Sequence, residues 1–346
     1  MSNILIGALG ALLATNQGAA LSNLVTETTG VSISATDTNT PLAQELHKIE
    51  EQDDTAAAEV DEWIRQNDEF AKKGAGIPKD ELNQRIRNKF DASRTAYKDF
   101  IQRHPDYAPA RVAYASFLHD MGDEDGEVEQ LLKARDLDPK IPSVWNNLAN
   151  FYGEHSPVTN AFFCYEKAIQ LDPKEPMYYD NFGTTVYLFR KDAREYYNID
   201  EQQVFDKALG LYQKAVQLDP TNFERMSDLA MSYYGIKPLR TNDALNAWTN
   251  ALHLAHDEIE REGVYIHFAR IAGQTGQFDA ARRQLEAVTN VFYTDMKRRV
   301  TRSINDKEHP ELVTNNPPEM ETIAPAGTKF EEKTPSARTN SPAKAP

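Results

Sequence analysis

Trp145-Asn146-Asn147-Leu148-Ala149-Asn150-Phe151-Tyr152, followed by Ser156-Pro157 and closed by Ala168-Ile169-Gln170-Leu171-Asp172-Pro173, is the stretch that decides the fold. Trp145, Leu148, Ala149 and Tyr152 fall at i, i+3, i+4 and i+7 and form one apolar stripe of a first helix. Ser156-Pro157 opens a second helix, where Ala161, Tyr165 and Ala168 form a facing stripe whose small residues let two helices approach closely. The same ending recurs as Ala134-Arg135-Asp136-Leu137-Asp138-Pro139 and as Ala215-Val216-Gln217-Leu218-Asp219-Pro220. Pro105, Pro139, Pro173 and Pro220 are separated by 34, 34 and 47 residues, the last being one period with an insertion of 13. A fixed period of this size predicts a stack in which no unit buries its apolar faces alone.

The pattern resembles the tetratricopeptide repeat (TPR) family, whose helix–turn–helix unit is matched by Trp145, Leu148-Ala149, Tyr152, Ala161, Tyr165 and Pro173. The following unit matches through Tyr179, Phe182-Gly183, Val186, Ala208, Tyr212 and Pro220. The one before it has Tyr114-Ala115, Leu118, Leu131 and Pro139 but carries Glu127 where a small residue is expected. Met226, Leu229-Ala230, Tyr233, Ala244 and Trp248 mark a fourth unit, and Tyr265, Phe268-Ala269, Gly276, Phe278, Ala281 and Leu285 a fifth. The resemblance implies an all-α solenoid of about five TPR-like repeats over 105–290, wound as a right-handed superhelix with flanking capping helices.

Around that array the chain divides further. Residues 1–40 form an apolar leader, free of charge to residue 26, and a Thr/Ser-rich linker; 41–104 read as an N-terminal helical cap. Residues 291–304 read as a C-terminal capping helix with Phe292, Met296 and Val300 on its packing side, and 305–346 as a disordered Pro-rich tail. The insertion predicts a first helix prolonged through Tyr187–Tyr197, with Asp200-Glu201-Gln202-Gln203 as a capping box for its partner. Its aromatics Phe189, Tyr196, Tyr197 and Phe205 are expected to pack against the pair itself.

The net charge is −15, of which −7 falls between residues 41 and 62. That acidity repels phosphate backbones, so nucleic acid is excluded as a partner and a neutral to basic protein or peptide is favoured. A single cysteine, Cys164, rules out an internal disulfide framework and fits a cytoplasmic setting; export, or membrane association through residues 1–25, is the alternative. Neither a phosphate loop nor a paired-cysteine metal site is present. Gly122-Asp123-Glu124-Asp125-Gly126 has Met121 and Leu132 where calcium ligands are required, and His253 with His256 lacks converging ligands, so the expectation is no cofactor, no metal and no enzyme.

In the family's architecture the first helix of each unit lines a concave surface. The resemblance therefore implies a groove formed by Asn146, Asn147 and Asn150, then Asp180, Asn181, Thr184 and Tyr187, then Ser227, Asp228, Met231 and Tyr234. Asn147, Asn181 and Asp228 each precede the core Leu or Phe of their unit, which places two amides and a carboxylate in register. Side-chain amides both donate and accept, so they suit the peptide groups of an extended segment. The clamp that some relatives use for a terminal carboxylate is not evident, because Asp180 and Asp228 place negative charge there. The expected function is a non-enzymatic interaction scaffold or adaptor that binds an extended, non-acidic peptide in this groove. The alternative is a structural assembly or membrane-tethered component that uses the apolar N-terminal segment as an anchor or oligomerisation helix.

Overall fold

The structure, a computed structural model, describes residues 40–155 and 157–312; the leader and the chain beyond 312 lie outside the described residues. Among the described residues there are α-helices and short 3-10 turns and no strand. Helix α1 spans Pro41–Lys72 and α2 Lys79–Arg103. The paired units follow: α3 Ala108–Asp120 with α4 Glu124–Leu137, and α5 Pro142–Glu154 with α6 Thr159–Leu171. Next come α7 Pro176–Leu188, the short α8 Arg190–Tyr197, and α9 Glu201–Leu218. Then α10 Phe223–Ser232 pairs with α11 Thr241–Leu254, α12 Glu258–Gln274 with α13 Phe278–Glu286, and α14 Thr294–Glu308 ends the array. Within each pair the two helices pack on one another, and each second helix packs on the next first helix.

The recurrent Asp-Pro explains the punctuation. Asp138, Asp172 and Asp219 each cap their helix in an extended or bridging conformation (φ −144, −136 and −136°), because the following proline disfavours the helical region. Asp138 and Asp172 then accept from the backbone N–H two residues on, at 3.0 Å each, which turns the chain into the next unit. Pro142 and Pro176 open the next first helices, where their missing N–H costs nothing.

The interior is one continuous core through the central units, with Leu148, Ala149, Ala161, Phe162, Tyr165, Phe182, Val186, Ala208 and Trp248 among its buried residues. Gly183 shows why small residues recur at the helix crossings: a Cβ there would stand 3.2 Å from the Tyr212 ring, so only glycine lets α7 and α9 approach this closely. Leu46, Ile49, Ala56 and Val60 of α1 meet Phe90, Tyr97 and Phe100 of α2 and Phe117 of α3, covering the open face of the first unit. At the far end Ile266, Ala281 and Leu285 are covered by Val300 and Ile304 of α14.

Three expectations are corrected. The insertion does not prolong α7, which stops at Leu188; Phe189 leaves the helical region (φ −98, ψ 50°) and α8 starts afresh. The break lets Ala193 bury completely and lets Tyr196 and Tyr197 reach Phe162, at 5.4 and 5.7 Å between ring centroids. The capping box at Asp200 and Gln203 is present, and Phe205 lies against Tyr187. Phe292 is not on the packing side of the last helix: Val291 and Phe292 are 87 and 69% exposed in a 3-10 turn, and Tyr293 packs in their place, donating to the Ile259 carbonyl at 2.8 Å. The chain is also still helical after Ile304, through Glu308, where a disordered tail was expected from 305.

Glu127, which stands where a small residue is expected, is buried. It is balanced by His119 of α3, whose Nδ1 lies 3.1 Å from Oε2, and this bond lifts the imidazole to about 9. A charged pair thus occupies the space that two small residues fill elsewhere.

Candidate peptide-binding groove

The first helices α3, α5, α7, α10 and α12 follow one another along one side of the array, and side-chain bonds join them from unit to unit. Asn181 Nδ2 on α7 donates to Asn146 Oδ1 on α5 at 3.2 Å, and Asn146 Nδ2 donates to Asn147 Oδ1 at 3.2 Å. The Thr185 hydroxyl donates to Tyr165, which donates to Asn150 Oδ1 at 2.7 Å, and Thr184 bonds Tyr212 at 2.9 Å. Tyr234 at the end of α10 meets His267 Nδ1 of α12 at 3.1 Å.

These contacts divide the expected site residues. Asn146 is 0% and Asn147 6% exposed, so neither presents its amide to a ligand; both are spent on holding α5 against α7. That corrects the expectation that these two line the groove. Asn150, Asp180, Asn181, Thr184, Tyr187, Ser227, Asp228, Met231 and Tyr234 are half-buried.

Asp180 of α7 and Asp228 of α10 lie close enough to act on one another. Burial raises the Asp180 carboxyl to about 6. Burial and then the Asp180 charge hold Asp228 well above the usual carboxylate range. Arg225 opposes both shifts, but its guanidinium is committed to Asp219 Oδ2 at 2.5 Å and its side chain is buried. Among the described residues Asp180 Oδ1 and Ser227 Oγ are buried and find no hydrogen-bond partner. An unsatisfied buried acceptor is costly, so this floor favours an incoming N–H or cation.

Beyond the acids the floor becomes aromatic. His267 stacks on Trp248 with centroids 3.9 Å apart and 6° between planes, and Arg270 lies 4.9 Å from the Tyr234 ring centre. Burial, and secondarily Arg270, lowers His267 to about 3, and its neutral ring shares a hydrogen bond with the Tyr234 hydroxyl. The sequence reading did not single out His267, Trp248 or Arg225 here. A signal for His267 existed: it precedes core Phe268 just as Asn147, Asn181 and Asp228 precede theirs.

A family model described as tetratricopeptide repeat matches residues 142–175, the unit built by α5 and α6. Among solved structures, PilF of Pseudomonas aeruginosa is 14% identical with a TM-score of 0.50, over 72% of this chain and 99% of that one. PilW, described as a widely conserved type IV pilus biogenesis factor, is 13% identical with a TM-score of 0.50, over 69% of this chain and 96% of that one. The unit built by α5 and α6 thus matches the tetratricopeptide repeat model, and the array shares the fold of these solved structures. At these identities the likeness is one of fold. No curated protein matches the sequence.

The TPR fold is a scaffold for protein–protein interaction, and its first helices here supply donors, acceptors and ring faces. Among the described residues no group of three or more His, Cys, Asp or Glu is arranged to hold a metal ion, and no helix is long and apolar enough to cross a membrane. His256 instead bonds Glu260 at 3.2 Å, and Cys164 is buried with its thiol pushed up to about 12.

Proposed function

We propose that this protein is a non-enzymatic scaffold that holds an extended, non-acidic polypeptide along α5, α7, α10 and α12. The observation that carries the reading is the Asp180–Asp228 pair, with Asp180 Oδ1 and Ser227 Oγ unsatisfied beside it. A lysine, an arginine or a run of backbone N–H groups supplies what these atoms lack, whereas a carboxylate is repelled. Asn181 and Thr184 on one side and Tyr187, Tyr234 and Met231 on the other supply polar and apolar contacts for the flanking residues.

A cation stabilises the ionised form of the pair, so affinity rises with pH through the window that opens near the value of about 6 for Asp180. The test is an anisotropy titration of two labelled twelve-residue peptides that differ only in Lys against Glu at their centre. The Lys peptide binds at least tenfold tighter at pH 7.5, and its advantage shrinks at pH 5. Equal affinities, or tighter binding of the Glu peptide, contradict the reading.

A further inference from the structure

We infer that the groove between α7 and α10 is a docking site for residues 333–346 of the same chain, which lie outside the described residues. The inference rests on the groove reading above and names an occupant for it.

Lys333-Thr334-Pro335-Ser336-Ala337-Arg338-Thr339-Asn340-Ser341-Pro342-Ala343-Lys344-Ala345-Pro346 carries three cationic side chains and no acidic one, in a chain whose net charge is −15. No other stretch beyond α14 is like it: residues 313–332 hold Glu319, Glu321, Glu331 and Glu332 against Lys329 alone. Acidic spacer and basic end are therefore segregated along the chain.

The groove has the complementary charge. Asp180 on α7 and Asp228 on α10 act on one another there, and each also feels Glu224 and Arg225 of α10. Arg225, the cation that acts on both Asp180 and Asp228, is itself paired with Asp219, and Arg270 sits over Tyr234 at the aromatic end. The rings of Tyr187 and Tyr234 are surfaces on which proline rings pack.

The connection is long enough. Helix α14 packs against α12, and α12 is joined to α10 through His267 and Tyr234, so the acids lie two first-helix steps from the end of α14. Packed helices are 8–10 Å apart, which makes this roughly 20 Å. The twenty residues between Leu312 and Lys333 can bridge up to about 66 Å. The basic segment therefore reaches the groove of its own chain, where a tethered ligand competes at high effective concentration with any partner.

The experiment uses the full chain with Ser341→Cys carrying a photoreactive maleimide; buried Cys164 does not compete for the label. Mixed light and heavy isotope chains separate contacts within a chain from contacts between copies. Crosslinks are expected on peptides from α7 and α10, within one chain. They fall at least fivefold when Lys333, Arg338 and Lys344 are all changed to Ser, and equally in Asp180→Asn with Asp228→Asn. Crosslinks scattered over α4, α6 and α9, crosslinks mainly between copies, or an unchanged pattern in both variants overturn the proposal. A separate labelled peptide of sequence 333–346, titrated into the triple-Ser chain, distinguishes the two readings. If it binds while the crosslinks fail, docking in the same chain is overturned and the groove reading stands. If it does not bind, both fall.

Discussion

Asn146 shows how one residue joins fold and site. Its carboxamide accepts from Asn181 and donates to Asn147 while wholly buried, so truncation leaves two buried amides without partners. Asn146→Ala should therefore cost on the order of 1–3 kcal/mol, read as a lower urea midpoint, with a smaller effect for Asn150→Ala. Asp53 on α1 carries the opposite kind of cost. Burial and then the Asp120 charge raise it from 3.8 to about 7, so between those values the folded chain holds a proton that the unfolded chain has lost. Stability from this group is present below the unfolded value and is lost as pH rises through about 7; His119, lifted to about 9, acts in the same direction. Asp53→Asn should raise the melting temperature at pH 8 by on the order of 2–4 °C, an advantage that narrows toward pH 4. A melting difference independent of pH would show that ionisation is not the cause. Neither residue's role was legible in the sequence, because a helical wheel places Asn146 on one face and cannot show that a second helix covers that face.

At the scale of elements, repeat helices were readable where one helix and its partner share a short-range pattern, as in Trp145 with Leu148 and Ala161 with Tyr165. The α7–α8 break was not. Apolar and charged residues run on from Tyr187 to Tyr197 without glycine or proline, and the stop at Phe189 is made by distant contacts: Ala193 buries, Tyr197 donates to Glu166 at 2.8 Å, and Lys207 lies 4.0 Å from its ring. The His119–Glu127 pair was invisible for the same reason, since it spans two helices. Gly235, which ends the short turn after α10, is tied to the insertion as well. A Cβ there would come within 2.3 Å of the Phe205 ring, and that ring is held between Tyr187 and Arg190 and has little room to yield. Gly235→Ala should cost about 1–3 kcal/mol. Phe205→Leu should recover part of it, so that the double variant loses less than the sum of the two in chemical denaturation.

The whole molecule is a linear array with a central core and two separate end clusters. Stability should accordingly grade along the chain, with amides of α5, α6 and α9 exchanging most slowly and those of α1 and α14 most rapidly in hydrogen exchange. Uniform protection would contradict that picture. The period of 34 and the Asp-Pro endings made this architecture legible before any coordinates, because each unit repeats one local pattern. The groove was legible only as a register of positions. Which side chains remain open depends on contacts between units, and those bury Asn146 and Asn147 while Asp180 and Asp228 stay half-buried. The central claim is that this pair selects a non-acidic polypeptide. Its most direct test is the ratio of affinities for the Lys and Glu peptides, measured on the full chain and on Asp180→Asn with Asp228→Asn at pH 7.5. Occupancy by residues 333–346 scales both affinities alike and leaves the ratio intact. The account predicts a ratio above ten in the unaltered chain that collapses toward one in a variant with an unchanged far-UV circular dichroism spectrum. A ratio that survives the double substitution would contradict it.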